Sequence, residues 1–135
     1  MASIYDNIRA ALEVKLSGIS GLPEVAWENL TYSPTTGTSF VKPSLVPTVR
    51  EPAVRGLNPQ IYYQGIFRVD CFVPEGLGPA AADDLADKII DAFEATTDVT
   101  NGSTNVSIRY AEREQGMPDG SFFMVPVNIG WYIYN

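Results

Sequence analysis

The chain contains no histidine and a single cysteine, Cys71. Without histidine there is no Ser-His-Asp triad, no Cys-His pair, no histidine-ligated zinc and no haem histidine. One cysteine excludes an internal disulfide, so the chain is no disulfide scaffold. Positive charge is scarce: 9 basic against 16 acidic residues give a net charge of −7. So acidic a domain, with no basic stripe, is a poor binder of nucleic-acid backbone. Long apolar runs are also missing. The longest, Phe122 to Tyr134, is broken by Pro126, Asn128 and Gly130 and is too short to span a bilayer. The opening residues carry an acid, Asp6, and read as a helix start, so no signal peptide is visible. We expect a soluble protein made in a cytoplasm, with no membrane partner.

What is present fits one folded domain, residues 1–135. A chain of 135 residues, 45% of them hydrophobic, buries a core without a metal or disulfide. Gly and Pro, 11 and 10 residues, are too few for a low-complexity chain. Ser3 to Leu16 reads as an amphipathic helix with Ile4, Ile8, Ala11 and Leu12 at helical spacing. Ser3 is the expected cap, with Asp6 three residues on in the manner of a capping box. Gly18, Gly21 and Pro23 end it. Val25 to Leu30, centred on Trp27, is a short strand candidate.

From Ser33 to Pro59 the texture changes. Half of the prolines lie here (Pro34, Pro43, Pro47, Pro52, Pro59). Apart from Phe40 and Val41, this stretch is expected to be an irregular arm or loop at about 33–60, because proline donates no ladder hydrogen bond. Ile61 to Val73 is a strong strand. Phe67, Val69, Cys71 and Val73 alternate with Ile66, Arg68, Asp70 and Phe72. Ala80 to Ala95 is the second helix. Val106 to Ala111 is a strand, Glu112 to Ser121 a polar hairpin tip, and Phe122 to Tyr134 the last strand. The expected order is α-β-β-β-α-β-β. The expected class is α+β, a mostly antiparallel sheet with both helices packed on one face.

No stretch carries a catalytic pattern, and no catalytic, cofactor or metal residue is assigned. Gly76-Leu-Gly78-Pro-Ala-Ala81 matches G-x-G-x-x-A between a strand and a helix. Pro79 removes an amide where phosphate would sit, and Asp83 and Asp84 would repel it, so a plain turn is the better reading. Cys71 falls on the apolar strand face as a small core residue. Residues 75–98 hold seven acids and one base, and Asp83, Asp87 and Asp91 repeat every four residues along one helix stripe. The stripe is either a solvated face or a field lining a DNA channel or meeting a basic partner. Its spacing supplies too few oxygens for a divalent metal. The arm carries Lys42, Arg50 and Arg55 against Glu51 alone. Opposite charges on one chain suit a self-complementary ring, the arm of one copy on the helix of the next. Arg68 and Asp70 share a strand face and are expected to pair laterally or across a subunit contact. Glu112, Arg113 and Glu114 are further contact candidates at the hairpin tip.

Taken together, these pieces resemble the tail-terminator-like family of long-tailed bacteriophages. The likeness starts with the helix ending at Leu16 and Trp27-Glu-Asn-Leu30. It continues through Pro34-Thr-Thr-Gly37 into Phe40-Val41-Lys42-Pro43, then Gly65-Ile-Phe-Arg-Val-Asp70 before Val73-Pro-Glu-Gly-Leu-Gly78. The helix with Ala86, Ile89 and Phe93 and the apolar C-terminal strand complete it. The resemblance implies a structural virion protein with an α/β fold that forms a homo-hexameric ring. Such a ring sits on the tail tube protein, stops its polymerisation, and meets a neck or head-completion protein. Genomic DNA passes through the lumen without specific binding. The place implied is the head-proximal end of the tail, after assembly in the host cytoplasm. A neck, head-completion or tube protein of the same virion is the alternative within that class. A small bacterial ligand-binding domain is the alternative outside it.

Overall fold

The computed structural model describes residues 3–35, 37–56, 59–76, 79–94 and 98–135. Helix α1 spans Ile4–Ser17. Ser3 caps it as expected, its Oγ accepting from the Asp6 N–H at 3.1 Å, and the Gly18 N–H closes the other end on Val14 and Lys15 carbonyls. Strand β1 is only Glu24–Val25. The Ala26 N–H reaches the Val41 carbonyl at 2.8 Å, but the chain then turns away, with Asn29 at a left-handed φ of 61°. The strand expected through Trp27 to Leu30 therefore stops at Val25.

The larger correction is β2, Phe40–Pro52, a strand of 13 residues inside the stretch expected to be irregular. It pairs antiparallel with β3, Ile61–Pro74. Three prolines fit because of where their missing donors would point. The Val41 carbonyl and the Leu45 N–H turn away from β3, to Ala26 and to the Glu28 carboxylate. Pro43 and Pro47 share that outward phase. A bulge between Pro47 and Val49 shifts the register, which brings Pro52 into the outward phase as well. None of the three removes a β2–β3 hydrogen bond.

Helix α2 covers Ala80–Ala92. It stops at Ala92, short of the expected end at Ala95, and Phe93 and Glu94 are no longer helical; Ala95 itself and Gly78 of the preceding turn lie outside the described residues. Four strands follow: β4 (Asp98–Asn101), β5 (Thr104–Arg113), β6 (Met117–Asp119) and β7 (Phe122–Tyr134). The expected order α-β-β-β-α-β-β is found, with the two-residue β1 as its first strand and β4 and β6 as short additions. Glu112 and Arg113 belong to β5, opposite Asn128 and Val127. Half of the expected tip at Glu112 to Ser121 is thus ladder, and only Gly120 and Ser121 turn. The sheet order is β1-β2-β3-β7-β5-β4, with β6 on β7. Every pairing is antiparallel except β1 with β2.

Period two decides the core. Phe67, Val69, Cys71 and Val73 of β3 and Val125, Val127, Ile129, Trp131 and Ile133 of β7 face the helices and are buried. They meet Ile8, Leu12 and Leu16 of α1 and Leu85, Ala86 and Ile89 of α2 in one cluster. Both helices therefore cover the same face. Among the described residues no helix is long and apolar enough to cross a membrane.

Two glycines let aromatic rings lie flat on the sheet. A Cβ on Gly65 would fall 2.5 Å from Trp131 Cζ2 and 2.5 Å from the Val46 carbonyl oxygen. On the other face a Cβ on Gly130 would collide with the Tyr110 ring. At both positions a ring occupies the space that a side chain would take.

Candidate functional site

The sheet face turned away from the helices collects half of the charged residues singled out in the sequence. Arg68 Nε donates to Asp70 Oδ1 at 2.8 Å, and this bond raises the Arg68 pKa. Arg68 also stands 4.0 Å from Glu114, whose carboxylate accepts from Asn128 Nδ2 at 2.8 Å. Lys42 lies opposite Asp70 on β2, and Glu112 opposite Asn128 on β5. Lys42, Arg68, Asp70, Glu112 and Glu114 thus form one polar band across four strands. Its Arg68–Asp70 pair is partly exposed, so its worth to the isolated chain is about 0–1 kcal/mol.

Aromatic groups flank this band. At one end Phe40 stacks on Phe72, centroids 4.5 Å apart, with Tyr32 and Phe122 against them. At the other, Tyr62 sits 5.0 Å from Tyr134 and 6.1 Å from Tyr132. There Gln64 Oε1 accepts from Tyr62 at 2.7 Å and from Arg109 at 2.6 Å. The sequence reading missed the Phe40–Phe72 cluster and the place of Tyr62 beside Tyr132 and Tyr134. Their signal was present, because Tyr62 and Phe72, and Tyr132 and Tyr134, fall on the even, supposedly wet, phase of their strands.

The remaining charged residues go elsewhere. Arg50 follows the β2 bulge onto the helix side, its guanidinium 5.7 Å from the Tyr63 ring centroid. Glu51, opposite Tyr62, is on the open face. Arg55 is exposed in the bend beyond β2. Arg113 is on the helix side and pairs with Asp83. Asp83 is therefore engaged, while Asp84, Asp87 and Asp91 stand exposed on α2.

Cys71 is fully buried, and burial, reinforced by Asp70, pushes its thiol up to about 12. Thiolate is the reactive form, so native Cys71 should alkylate at pH 8 roughly a thousandfold more slowly than a free thiol, from the shift of three decades in acidity. Mass spectrometry after iodoacetamide treatment checks this. Rapid labelling of the folded chain would show that the strand face opens. Among the described residues no group of three or more Cys, Asp or Glu is placed to hold a metal.

Fold and surface together define an α+β sheet protein that offers the solvent paired charges and, at one end, the half-buried Tyr62 and Tyr132 with the exposed Tyr134. Comparison with known proteins gives the family. The model described as phage tail terminator protein matches residues 7–131, and the chain belongs to that family. It is a phage tail structural protein, a component of the virion. No curated protein sequence matches. Fifteen chains of solved structures do. One, 24% identical, covers 99% of this chain and 97% of its own, with a TM-score of 0.76. At that identity the likeness shows the shared fold.

Proposed function

We propose that the protein forms a homo-hexameric ring that caps the tail tube, stops its polymerisation and joins it to the head–neck connector. Separated charge within one chain carries this reading. Asp84, Asp87 and Asp91 are exposed on α2, while Arg50 and Arg55 are exposed on the β2–β3 hairpin. Unlike patches on separate elements of one chain can meet between copies, and such heterologous contacts close into rings when the rotation permits. In this ring the acidic stripe of Asp83, Asp87 and Asp91 faces a partner, with Asp83 already held by Arg113. The polar band of Lys42, Arg68, Asp70, Glu112 and Glu114, with Glu51 at the tyrosine end of the same face, is the surface offered to the tail tube protein or to the neck protein. Genomic DNA crosses the lumen without adhering, as suits a net charge of −7. The ring takes its place at the head-proximal end of the tail during assembly in the host cytoplasm.

The test is a tube polymerisation assay. Purified protein added to elongating tube subunits should arrest growth and leave a ring-shaped cap at one end of each tube in negative stain. Tubes that keep growing with bare ends would contradict capping.

A further inference from the structure

Where β3 ends, a cavity of about 350 Å³ opens between the β3–α2 turn and the β6–β7 hairpin. Its lining is apolar: Pro74, Pro79, Pro118, Phe122 and Phe123, with Glu75 beside them. Asp119 follows Pro118, and both acids are exposed. An apolar floor with an acidic rim suits an aliphatic side chain that has a cation next to it.

The chain carries such a pair at the opposite end of β3. The last β2–β3 pair is Pro52 with Ile61, and residues 53–56 project beyond it. Val54 there is 65% exposed, and Arg55 is its neighbour. The other exposed aliphatic residue beside a cation among the described residues is Val14, next to Lys15. Val14 is fixed on α1, has Glu13 on its other side, and lines a groove of its own. Strand β3 is 14 residues long, so tip and cavity lie roughly 45 Å apart at strand rise. One copy cannot fill its own cavity.

We propose that Val54 of one copy seats in the proline-lined cavity of the next, with Arg55 against Glu75 and Asp119. This rests on the ring reading and supplies its contact. The spacings agree with it. Arg50 lies four residues before Val54, at most roughly 13 Å away because the chain bends at residues 53–56. Asp87 lies eight residues past Pro79, roughly 12 Å along a helix. A hairpin laid along α2 with Val54 seated therefore keeps Arg50 within reach of the acidic stripe.

Two variants of the full chain test the seat. Val54→Cys with Pro118→Cys, both at exposed sites, should give on oxidation a ladder of covalent oligomers up to the ring number on a non-reducing gel. Neither single substitution should give one, since Cys71 is buried. Val54→Asp places an acid against an acidic rim and should weaken ring association at least about tenfold, the loss typical of an interface anchor, with its Tm unchanged. A wild-type ring by light scattering, with no ladder and with Val54→Asp rings intact, overturns the seat and leaves the ring standing. A wild-type monomer that ignores tubes overturns both. Rings that survive Val54→Asp while Pro118→Glu abolishes tube capping would assign the cavity to the tube protein and overturn the second-copy contact.

Discussion

Trp131→Ala should remove about 3–5 kcal/mol of stability, the range for a large buried aromatic. For a domain of this size that lowers Tm by roughly 10–20 °C. Trp131 is the largest fully buried side chain. It lies between Gly65 of β3 and Ile108 of β5, and its ring fills the space above Gly65 that any Cβ would occupy. No neighbouring strand can close that gap, because its flatness comes from a glycine. The indole N–H has no hydrogen-bond partner among the described residues, so the loss is one of packing alone. Trp131→Phe keeps most of the contact, drops an unpaired donor, and should cost only about 1–2 kcal/mol. Thermal unfolding by circular dichroism separates the two. An alanine variant melting within a few degrees of wild type would show that the sheet is not anchored at this point.

The second large effect is on assembly. Arg50→Glu with Arg55→Glu should leave a folded chain that forms no rings. Among the described residues the Arg50 side chain contacts the Tyr63 ring, about 0.5–1 kcal/mol for an exposed cation–π contact, and Arg55 is exposed. In the ring, like charges would then face α2, a cost of several kcal/mol, or at least about a hundredfold in association. Reversing Asp87 and Asp91 to Lys in the same chain should restore assembly, because the contact is again between opposite signs. Wild-type rings from the arginine double variant would remove the hairpin from the interface. Failure of the compensating variant to rescue would place the hairpin on some surface other than α2.

Much of the fold was legible because its signals are local. The alternation from Phe67 to Val73 is a property of a single segment, and it marked the buried face correctly. Ser3 announced its own cap. Strand β2 was hidden because proline content is read locally, whereas its effect depends on which way each missing donor points. That direction is set by β3 on one side and by Ala26 and Glu28 on the other. At the surface, Arg68 and Asp70 were legible as neighbours, being two residues apart on a strand. Arg113 with Asp83 and Lys42 opposite Asp70 are separated by about thirty positions in the chain, and only the folded sheet brings them together. The proline-lined cavity is built from four separate elements, β3, the start of α2, β6 and β7, so no single segment carries its pattern.

The central claim is assembly, and the most direct measurement is the molar mass of the purified wild-type protein by light scattering, alone and with isolated tail tubes, imaged in parallel by negative stain. A mass of six chains of 14.7 kDa, with six-fold rings on tube ends, is the expected result. A particle that stays at the mass of one chain and leaves tube ends bare would contradict it.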